Sequence, residues 1–253
     1  MRILHLFANF KWTGPADPAI RCASWLRRIG CDVVFAQADW TLPQAEHRMA
    51  MELRRAHMPV IAGLELRKHF GAASLLRDAK RLRARLDRGE FDVLHAHLLA
   101  DHLIAALAKR RAAHRPVVVR SLYEPEPPSR LSWRNRVALR YTDGVVVPTH
   151  SVEIEMRRRF GLESGRVLYQ DPPIDSARRL VDGDLRGQWG VGYEDFLVGI
   201  TARIQPHRRF DLLWQTLRAV VDRRPNTRLV LLGRGNEDDT RRLVREPIAR
   251  LGL

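Results

Sequence analysis

Lysine is nearly absent from this chain: only four of its 44 basic residues are lysine, and the others are arginine. The net charge of +15 would ordinarily suggest a nucleic-acid partner. The arginines, however, are spread along the chain, and no aromatic-rich binding motif accompanies them. Codon bias in a GC-rich genome produces the same preference for arginine. Nucleic-acid binding is therefore disfavoured, and contact with an anionic membrane surface stays open.

Cysteine is scarce, and long apolar runs are missing. Cys22 and Cys31 stand nine residues apart, which indicates neither a disulfide framework nor a metal-binding pattern. No 18 consecutive residues are apolar, so no transmembrane helix is predicted. Residues 1–6 are typical of a first strand and not of a signal peptide. These features predict a cytoplasmic protein, with peripheral attachment at the inner membrane face as the alternative.

Glycine patterns exclude one common class of nucleotide-binding enzyme. The three-glycine fingerprint of dinucleotide-binding folds is absent, which disfavours an NAD-dependent oxidoreductase. Short apolar runs nevertheless alternate with helical periods, as in parallel βαβ units with helices on both faces of the sheet. Strands are predicted at residues 3–8, 32–38, 91–94, 117–120, 144–147 and 167–169, and helices at 19–29, 44–57, 75–86, 98–111, 131–141 and 152–160.

The first predicted helix has a clear apolar period. Its inner stripe is predicted to contain Ile20, Ala23, Trp25, Leu26 and Ile29, and Gly30 is predicted to end the helix in a left-handed conformation. The helix near residues 75–86 has an apolar stripe flanked by arginines. That stripe is predicted to pack on the sheet, and the alternative is a basic face resting on anionic lipid.

A break in the pattern predicts two domains. Residues 1–172 form the first predicted domain, and a turn signal with little periodicity after it predicts a linker at 173–195. A new βαβα pattern follows, with strands at 196–201 and 228–232 and helices at 209–222 and 239–251. Two strands make a small sheet for an independent core, so we expect residues 196–253 to be an incomplete Rossmann-like domain in a chain truncated at its C-terminus.

Residues 199–211 carry the strongest indication of a binding site. An apolar run leads into a turn that contains Arg203 and Arg208, and a helical period follows. A helix start offers free N–H groups and the positive end of its dipole, and guanidinium groups fit phosphate oxygens bidentately. The pattern predicts an anion site held by Arg203 and Arg208. The alternative is a solvated helix start in an arginine-rich protein.

This stretch resembles the Gly-Arg-Leu-x-x-x-Lys segment of GT-B glycosyltransferases of the family-four type, with Ala202 in place of the glycine and Arg208 in place of the lysine. Residues 91–97 are similar to the family's Asp-Val-Val-His-x-His strand end, and residues 142–151 are similar to its Ala-Asp-x-Val-Ile-x-x-Ser strand. Residues 160–175 resemble the region of its Pro-Asn-Gly-Val-Asp segment, although Asn-Gly is absent here. Residues 229–235 resemble its apolar strand and Gly-x-Gly loop. The Glu-x7-Glu motif of the family's nucleotide domain is expected to be absent from this chain.

The resemblance implies a fold and a reaction. The expected fold is α/β, with two Rossmann-like doubly wound parallel sheets. The expected reaction transfers a sugar, with retention, from a nucleoside-diphosphate sugar of UDP or GDP type to a hydroxyl acceptor, for which a lipid-linked molecule is one option. No Asp-x-Asp motif follows a predicted strand, and this architecture uses arginine and backbone donors instead of a divalent ion. We therefore expect neither a metal nor a cofactor.

On the donor side, the resemblance gives Arg203 and Arg208 the role of offsetting charge on the departing diphosphate. Gly233 and Gly235 would let the backbone approach phosphate, or they form a plain turn at a strand end. Gly14 would shape a loop after the first strand that lines the cleft. A chain without the glutamate motif would bind donor poorly, so the competing hypothesis is a non-catalytic binding or scaffold fragment, or one half of a hetero-complex.

On the acceptor side, His97 follows a predicted strand. It would hydrogen-bond a sugar hydroxyl or steady the acceptor, or it only caps the strand end. His95, which alternates with it, is predicted to pack in the interior. Tyr123 and Glu124 follow the strand at 117–120 and are predicted to recognise the acceptor; the alternative is a stiff proline-rich connection.

Overall fold

The computed structural model describes residues 1–69, 71–129, 132–173 and 183–253. The chain forms two compact units, Met1–Arg178 and Arg179–Leu253. Residues 174–182 of the proposed linker, which include Ile174 and Asp175 of the segment likened to Pro-Asn-Gly-Val-Asp, lie outside the described residues. The domain limits inferred from the sequence therefore stay a prediction.

The first unit contains seven strands and six α-helices among its described residues. The strands are β1 (Arg2–Phe7), β2 (Asp32–Gln37), β3 (Val60–Ile61), β4 (Val93–Ala96), β5 (Val117–Ser121), β6 (Gly144–Val147) and β7 (Val167–Tyr169). The helices are α1 (Ala16–Arg28), α2 (Arg48–Arg55), α3 (Ala72–Asp87), α4 (Leu99–Arg111), α5 (Trp133–Arg140) and α6 (His150–Phe160), and a 3-10 turn, Ser164–Arg166, precedes β7.

All seven strands pair in parallel, in the order β3-β2-β1-β4-β5-β6-β7. The chain winds outward from β1 in one direction and from β4 in the other, so the strand order reverses between these two strands. In open α/β sheets, ligands bind beyond the carboxyl ends of the strands at this reversal point. The doubly wound α/β fold expected from the sequence is confirmed for this unit.

Helices cover the two faces of the sheet because side chains alternate along each strand. In β1, Leu4 and Leu6 join a core that includes buried residues of α3 and α4. Ile3 and Phe7, one residue out of phase, join a second core that includes buried residues of α1 and α2. His5 shares the phase of Ile3 and Phe7 and therefore belongs to the α1 side of β1.

The inner stripe predicted for α1 is partly wrong. The residues buried on this helix are Ala16, Ala19, Ile20 and Ala23, whereas Trp25 is 53% exposed and Ile29 is 56% exposed. The helix begins three residues earlier than expected, and its buried spacing of three and four residues starts at Ala16. Gly30 has φ +91°, which confirms the left-handed conformation expected there.

The arginine-flanked helix α3 packs its apolar stripe in the interior, as expected. Leu75, Ala79, Leu82 and Leu86 are buried. Its arginines are largely engaged within the chain: Arg77 pairs with Glu65, Arg83 with Asp87 and Arg85 with Glu90, and Arg81 donates to a backbone carbonyl. Such pairing leaves much less unpaired positive charge on this helix than the sequence suggests.

The second unit contains β8 (Phe196–Thr201), α8 (Phe210–Arg223) and β9 (Thr227–Leu232), after a one-turn helix, α7 (Leu185–Gln188). A continuous helical stretch closes it: α9 (Glu237–Thr240), a π-helical turn at Arg241–Arg245, and α10 (Glu246–Leu251). Strands β8 and β9 pair in parallel over their whole length. Phe210 and Trp214 form the buried centre with Ile204, and Trp214 Nε1 donates to the Leu243 carbonyl at 2.6 Å.

Among the described residues, no helix has the length and apolar character needed to span a bilayer.

Candidate functional site

Three histidines meet where the strand order of the first sheet reverses. His5 of β1 is the register partner of His95 of β4, and His97 follows the end of β4. The rings of His95 and His97 stack with centroids 4.4 Å apart, and the His5 ring lies 4.7 Å from His95 and 5.1 Å from His97. Backbone register therefore assembles a compact imidazole cluster at the place where doubly wound sheets bind ligands.

A chain of hydrogen bonds crosses this cluster. His5 Nδ1 lies 2.9 Å from His97 Nε2, and His97 Nδ1 lies 2.7 Å from the Tyr123 hydroxyl. His95 Nε2 lies 2.8 Å from Ser121 Oγ. Since both ring nitrogens of His97 have partners within the chain, direct contact with a sugar requires one of these bonds to open. The structure thus brings His97 and Tyr123 together and places Tyr123 between His97 and the surface.

Burial sets the protonation state of the cluster. His5 and His97 are fully buried, and desolvation, aided by the neighbouring imidazole of His95, holds their pKa values well below the usual range. Desolvation, with a smaller effect of Arg120, lowers the pKa of His95 to about 4. Burial also raises the pKa of Tyr123. The imidazoles are therefore neutral near pH 7, a state in which they can relay a proton or bind a metal but carry no positive charge.

A carboxylate holds the cluster in place from the start of α4. Asp101 accepts hydrogen bonds from the backbone N–H groups of Ala8 at 3.0 Å, Leu98 at 2.8 Å and His97 at 3.2 Å. These bonds tie the chain after β1 to the turn between β4 and α4. Asp101 thereby fixes the backbone that presents His97.

A pocket of about 360 Å³ opens beside the cluster at the carboxyl ends of β4 to β7. Its wall includes a second stripe of α1, formed by Pro18, Cys22 and Trp25, together with His95 and Tyr123. Trp25 is exposed because its side chain forms part of the wall of this pocket. The remaining lining is mostly apolar: Ser121, Leu122, Val146, Pro148, Leu168, Gln170, Asp171, Pro172 and Pro173.

Two residues predicted from the sequence lie outside this pocket lining. Glu124 is exposed, accepts from the Tyr123 backbone N–H at 3.1 Å, and lines a different cavity of about 240 Å³ next to Arg120. Gly14 is exposed in the turn before α1. A side chain at position 14 would meet nothing within 4 Å, and its φ is not positive, so the local backbone does not itself require glycine there.

In the second unit, Arg203 follows β8 and Arg234 follows β9. Both line a concave site of about 360 Å³ whose other walls are Ile204, Gln205, Gly235, Asn236 and Asp239. Arg203 and Arg234 are exposed, and no hydrogen bond or ion pair to their guanidinium groups is found among the described residues. Two exposed guanidinium groups that line one concavity make a potential anion site.

Arg208 occupies a different position from Arg203. It ends a 3-10 turn, Pro206–Arg208, just before α8, and it does not line the concave site. The helix start beside it has no side-chain cap, since Arg209 is left-handed at φ 54° and its guanidinium pairs with Asp211. At the N-terminus of α8 the Leu212 and Leu213 N–H groups donate to the Arg209 carbonyl, and Asp211 adds a negative charge in the first turn, so this helix start offers less to an anion than the sequence suggested.

Both glycines of the second loop are required by close backbone contact. A Cβ at Gly233 would lie 1.8 Å from the Ala202 carbonyl oxygen, and one at Gly235 would lie 2.7 Å from Ile204 Cβ. The Ile204 N–H also donates to the Arg234 carbonyl at 3.0 Å. The close approach is between the two loops that carry Arg203 and Arg234. The glycines thus join these loops into one site, and direct contact with phosphate stays a prediction.

One expectation about glutamates needs a correction. The Glu-x7-Glu spacing does occur once in the chain, at Glu155 and Glu163. Glu155 lies in α6 of the first unit and pairs with Arg158 and Arg159. Because this pair lies in the first unit and Glu155 pairs with arginines of its own helix, we do not equate it with the family motif.

Comparison with known protein families identifies the family of this chain. The model of Glycosyltransferase Family 4 matches residues 14–178, which is more than half of the chain. The chain belongs to Glycosyltransferase Family 4. It is also similar to the D-inositol 3-phosphate glycosyltransferase of Actinosynnema mirum, with 24% identity over an alignment of 233 residues; the match covers 84% of this chain and 56% of the relative. The chain thus spans little more than half the length of that curated relative.

Solved structures share the fold. HepE of Anabaena in complex with UDP and glucose is similar with a TM-score of 0.70 and 21% identity, covering all of this chain and 67% of HepE. A glycosyltransferase from Rickettsia africae is similar with a TM-score of 0.73 and 15% identity, and the match covers all of this chain and 65% of that protein. The UDP-GlcNAc 2-epimerase of Neisseria meningitidis bound to UDP-GlcNAc is similar with a TM-score of 0.62 and 12% identity, and the match covers 99% of this chain and 70% of the epimerase. Because this fold also occurs in an epimerase, the fold alone does not decide the reaction.

Several residues of these sites were not identified from the sequence. His5, Cys22 and Asp101 come from different elements, and none stands in a recognisable motif. Arg234 had a signal that could have been used, since it lies between the two glycines that were identified. For His5, the only available signal is a polar residue inside an otherwise apolar strand, Arg2–Phe7.

Proposed function

We propose that this chain takes part in transferring a sugar from a nucleoside-diphosphate sugar to a hydroxyl acceptor. The observation that carries the proposal is the concave site of the second unit, where the unpaired guanidinium groups of Arg203 and Arg234 meet after two parallel strands. Membership of Glycosyltransferase Family 4 supports it, as does the similarity to HepE, whose structure contains UDP and glucose.

The donor's diphosphate is the group that the second unit would hold. Arg203 and Arg234 would bind its oxygens as forks, and Arg208 beside the uncapped start of α8 would add positive potential. When the bond from sugar to diphosphate breaks, negative charge grows on the departing oxygen. Fixed cations that interact more strongly with that charge than with the intact donor lower the barrier.

The acceptor would bind in the pocket of the first unit. Its wall is mostly apolar, with the Tyr123 and Ser121 hydroxyls as hydrogen-bonding groups next to His95. Tyr123 would orient the acceptor hydroxyl, and His97 would position Tyr123 through the 2.7 Å hydrogen bond. An acceptor with an apolar portion, such as a lipid-linked one, suits this lining best.

We further propose retention at the anomeric carbon, which rests on the resemblance of residues 199–211 to the family-four segment. The anomeric configuration of the product, measured by proton NMR at early reaction times, tests this point. An inverted product would exclude it.

Binding of the diphosphate can be measured on this chain by isothermal titration calorimetry with UDP and GDP. The Arg203→Ala variant loses a charge-assisted interaction of about 1.5–3 kcal/mol, so its affinity should fall by roughly tenfold or more. Arg223→Ala is the matched control, because Arg223 is an exposed arginine at the other end of α8. Equal affinity for the two variants, or no binding of either nucleotide to the parent chain, would reject the assignment.

Binding without turnover is the second candidate function. It requires only the concave site of the second unit and no acceptor. Release of free UDP from UDP-glucose in the presence of a hydroxyl acceptor separates the two. Nucleotide binding with no release above the buffer rate would favour a binding module, whereas release that depends on the acceptor favours the transferase.

We place the protein in the cytoplasm, with attachment to the inner membrane face as an option that goes with a lipid-linked acceptor. The extensive pairing of arginines on α3 weakens the case for this helix as the contact. Sedimentation with vesicles that contain or lack anionic lipid tests attachment, and equal sedimentation with both would end the electrostatic proposal.

A further inference from the structure

We propose that His5, Cys22 and His95 bind a zinc-class metal ion at the base of the pocket in the first unit. One ring nitrogen of each histidine and the Cys22 sulfur lie within 4.8 Å of one another. The three ligands come from β1, α1 and β4, so the fold assembles them where the strand order of the sheet reverses. The proposal departs from the expectation of no metal, which rested on sequence patterns and not on residues that the fold brings together.

The strongest indication is an unpartnered nitrogen of His5. This side chain is fully buried, and its Nδ1 is engaged by His97, yet its Nε2 has no hydrogen-bond partner among the described residues. A buried polar atom without a partner costs about 1–3 kcal/mol, so it is rarely left in that state without a reason. A metal ion within reach of Cys22 and His95 provides the missing partner.

The distances fit coordination after a small adjustment. A tetrahedral zinc ion with bonds of about 2.0–2.1 Å to nitrogen and about 2.3 Å to sulfur holds its ligand atoms roughly 3.3–3.6 Å apart. Ligand atoms within 4.8 Å of one another need to move by only about an ångström, through side-chain rotation, to coordinate such an ion. Cys22 has no hydrogen bond to another described residue, so its χ1 rotation breaks none.

The neighbours of the ligands form the outer shell that metal-bound histidines normally have. His5 Nδ1 contacts His97 Nε2, and His95 Nε2 contacts Ser121 Oγ. Hydrogen bonding at the second ring nitrogen fixes the orientation of a ligating imidazole. The two contacts already hold both rings, so little ordering remains for the ion to impose.

The donor set selects the class of metal. Two imidazoles and a thiolate suit zinc and other borderline or soft ions, whereas magnesium and calcium require oxygen ligands. Three protein ligands leave a fourth position, as in zinc sites that bind water or substrate. Because Cys22 and His95 also line the pocket, that position opens toward the pocket. An oxygen of water or of a bound hydroxyl compound would fill it.

The test uses the whole chain without an affinity tag of histidines. The protein is stripped with a chelator, titrated with zinc against a chromogenic competitor, and its bound metal is counted by mass spectrometry. Cobalt is then added as a spectroscopic probe, since thiolate coordination gives a sulfur-to-cobalt charge-transfer band. We expect one zinc per chain, the charge-transfer band with cobalt, and no competition from magnesium.

Cys22→Ser tests the thiolate, and Cys31→Ser is the matched control because Cys31 lies outside the cluster. Loss of an outer-shell partner already weakens metal binding by about 10- to 100-fold, so loss of the sulfur should weaken zinc binding at least tenfold and abolish the cobalt band. Cys31→Ser should retain both. Equal zinc affinity for the two variants, or a parent chain that binds less than stoichiometric zinc, would overturn the proposal.

A second readout does not depend on the folding of any variant. Zinc should slow alkylation of Cys22 by iodoacetamide while leaving Cys31 unchanged, with both sites followed by peptide mass spectrometry. Alkylation of Cys22 at the same rate with and without zinc would contradict the site.

Discussion

The Asp101 carboxylate and the Arg120 guanidinium face each other inside the first unit, with Oδ1 and Nη1 3.7 Å apart. Asp101 is fully buried and Arg120 is 5% exposed. Burial raises the pKa of Asp101 to about 7, against the opposing effects of Arg120 and of three backbone N–H donors. Burial likewise lowers the pKa of Arg120. The pair therefore holds a desolvated guanidinium group beside a buried carboxyl group that is only partly ionised near pH 7.

Arg120→Met should destabilise the first unit strongly. Removing one partner of a buried ion pair costs up to about 3–5 kcal/mol, and uptake of a proton by Asp101, whose pKa then rises further above 7, reduces this cost at pH 7. Adding Asp101→Asn to this variant should recover part of the loss, because the remaining buried charge is then removed. Urea unfolding at pH 7 measures both effects, and Arg140→Met, at an exposed arginine, is the control. Identical midpoints for Arg120→Met and Arg140→Met would show that the pair has no such role.

For the protein stripped of metal, the free energy of unfolding should rise as the pH increases from about 4 to 6.5. Burial lowers the pKa values of His5, His95, His97 and His102, so unfolding takes up protons throughout this window. His95, with a pKa of about 4 against a usual 6.5, accounts for about 3 kcal/mol of the rise. Asp101 acts in the opposite direction up to about pH 7, and so does Asp78, whose pKa burial also raises, but these are two groups against four.

The measurement for this prediction is urea unfolding at a series of pH values. His102→Gln should flatten the rise, since His102 is buried and bonded to Thr142, away from the proposed metal site. His207→Gln, at an exposed histidine, should leave the slope unchanged. A stability that stays constant from pH 4 to 6.5 would contradict neutral buried imidazoles.

The sequence predicted the types of most elements because their periodicity is local. Strand β3 was missed, since two residues carry no period, and Trp25 was assigned to the interior because an apolar residue on a helix can also line a pocket. The histidine alternation at 95 and 97 indicated a site, but the contribution of His5 depends on the register of β1 with β4. Local patterns cannot reveal such a long-range juxtaposition.

The concave site of the second unit could likewise be predicted only in part from the sequence. Arg203 and the two glycines were recognisable from their motifs, but the contact between Gly233 and the Ala202 carbonyl becomes visible only when both loops are placed. Arg208 was grouped with Arg203 by spacing along the chain, and the intervening 3-10 turn gives it a separate position. Whether it nevertheless contacts a bound diphosphate stays a prediction.

Gly233→Ala should destabilise the second unit and weaken nucleotide binding. The added methyl would lie 1.8 Å from the Ala202 carbonyl oxygen, so the loop that carries Arg203 must move. Forcing atoms into a packed site costs about 1–3 kcal/mol. Gly199→Ala in β8 is the control, because a Cβ there meets nothing within 4 Å. Urea unfolding and UDP titration of both variants decide the point, and equal behaviour would remove the close contact from the argument.

Tyr123→Phe should reduce both the stability of the first unit and its use of acceptor. The variant leaves His97 Nδ1 buried without its 2.7 Å partner, at a cost of about 1–3 kcal/mol. Tyr193→Phe is the control, since Tyr193 is 93% exposed. If Tyr123 also orients the acceptor hydroxyl, the Michaelis constant for acceptor should rise while that for donor stays the same. A stability loss with an unchanged acceptor constant would restrict Tyr123 to supporting His97, and it would move acceptor recognition to other residues of the pocket.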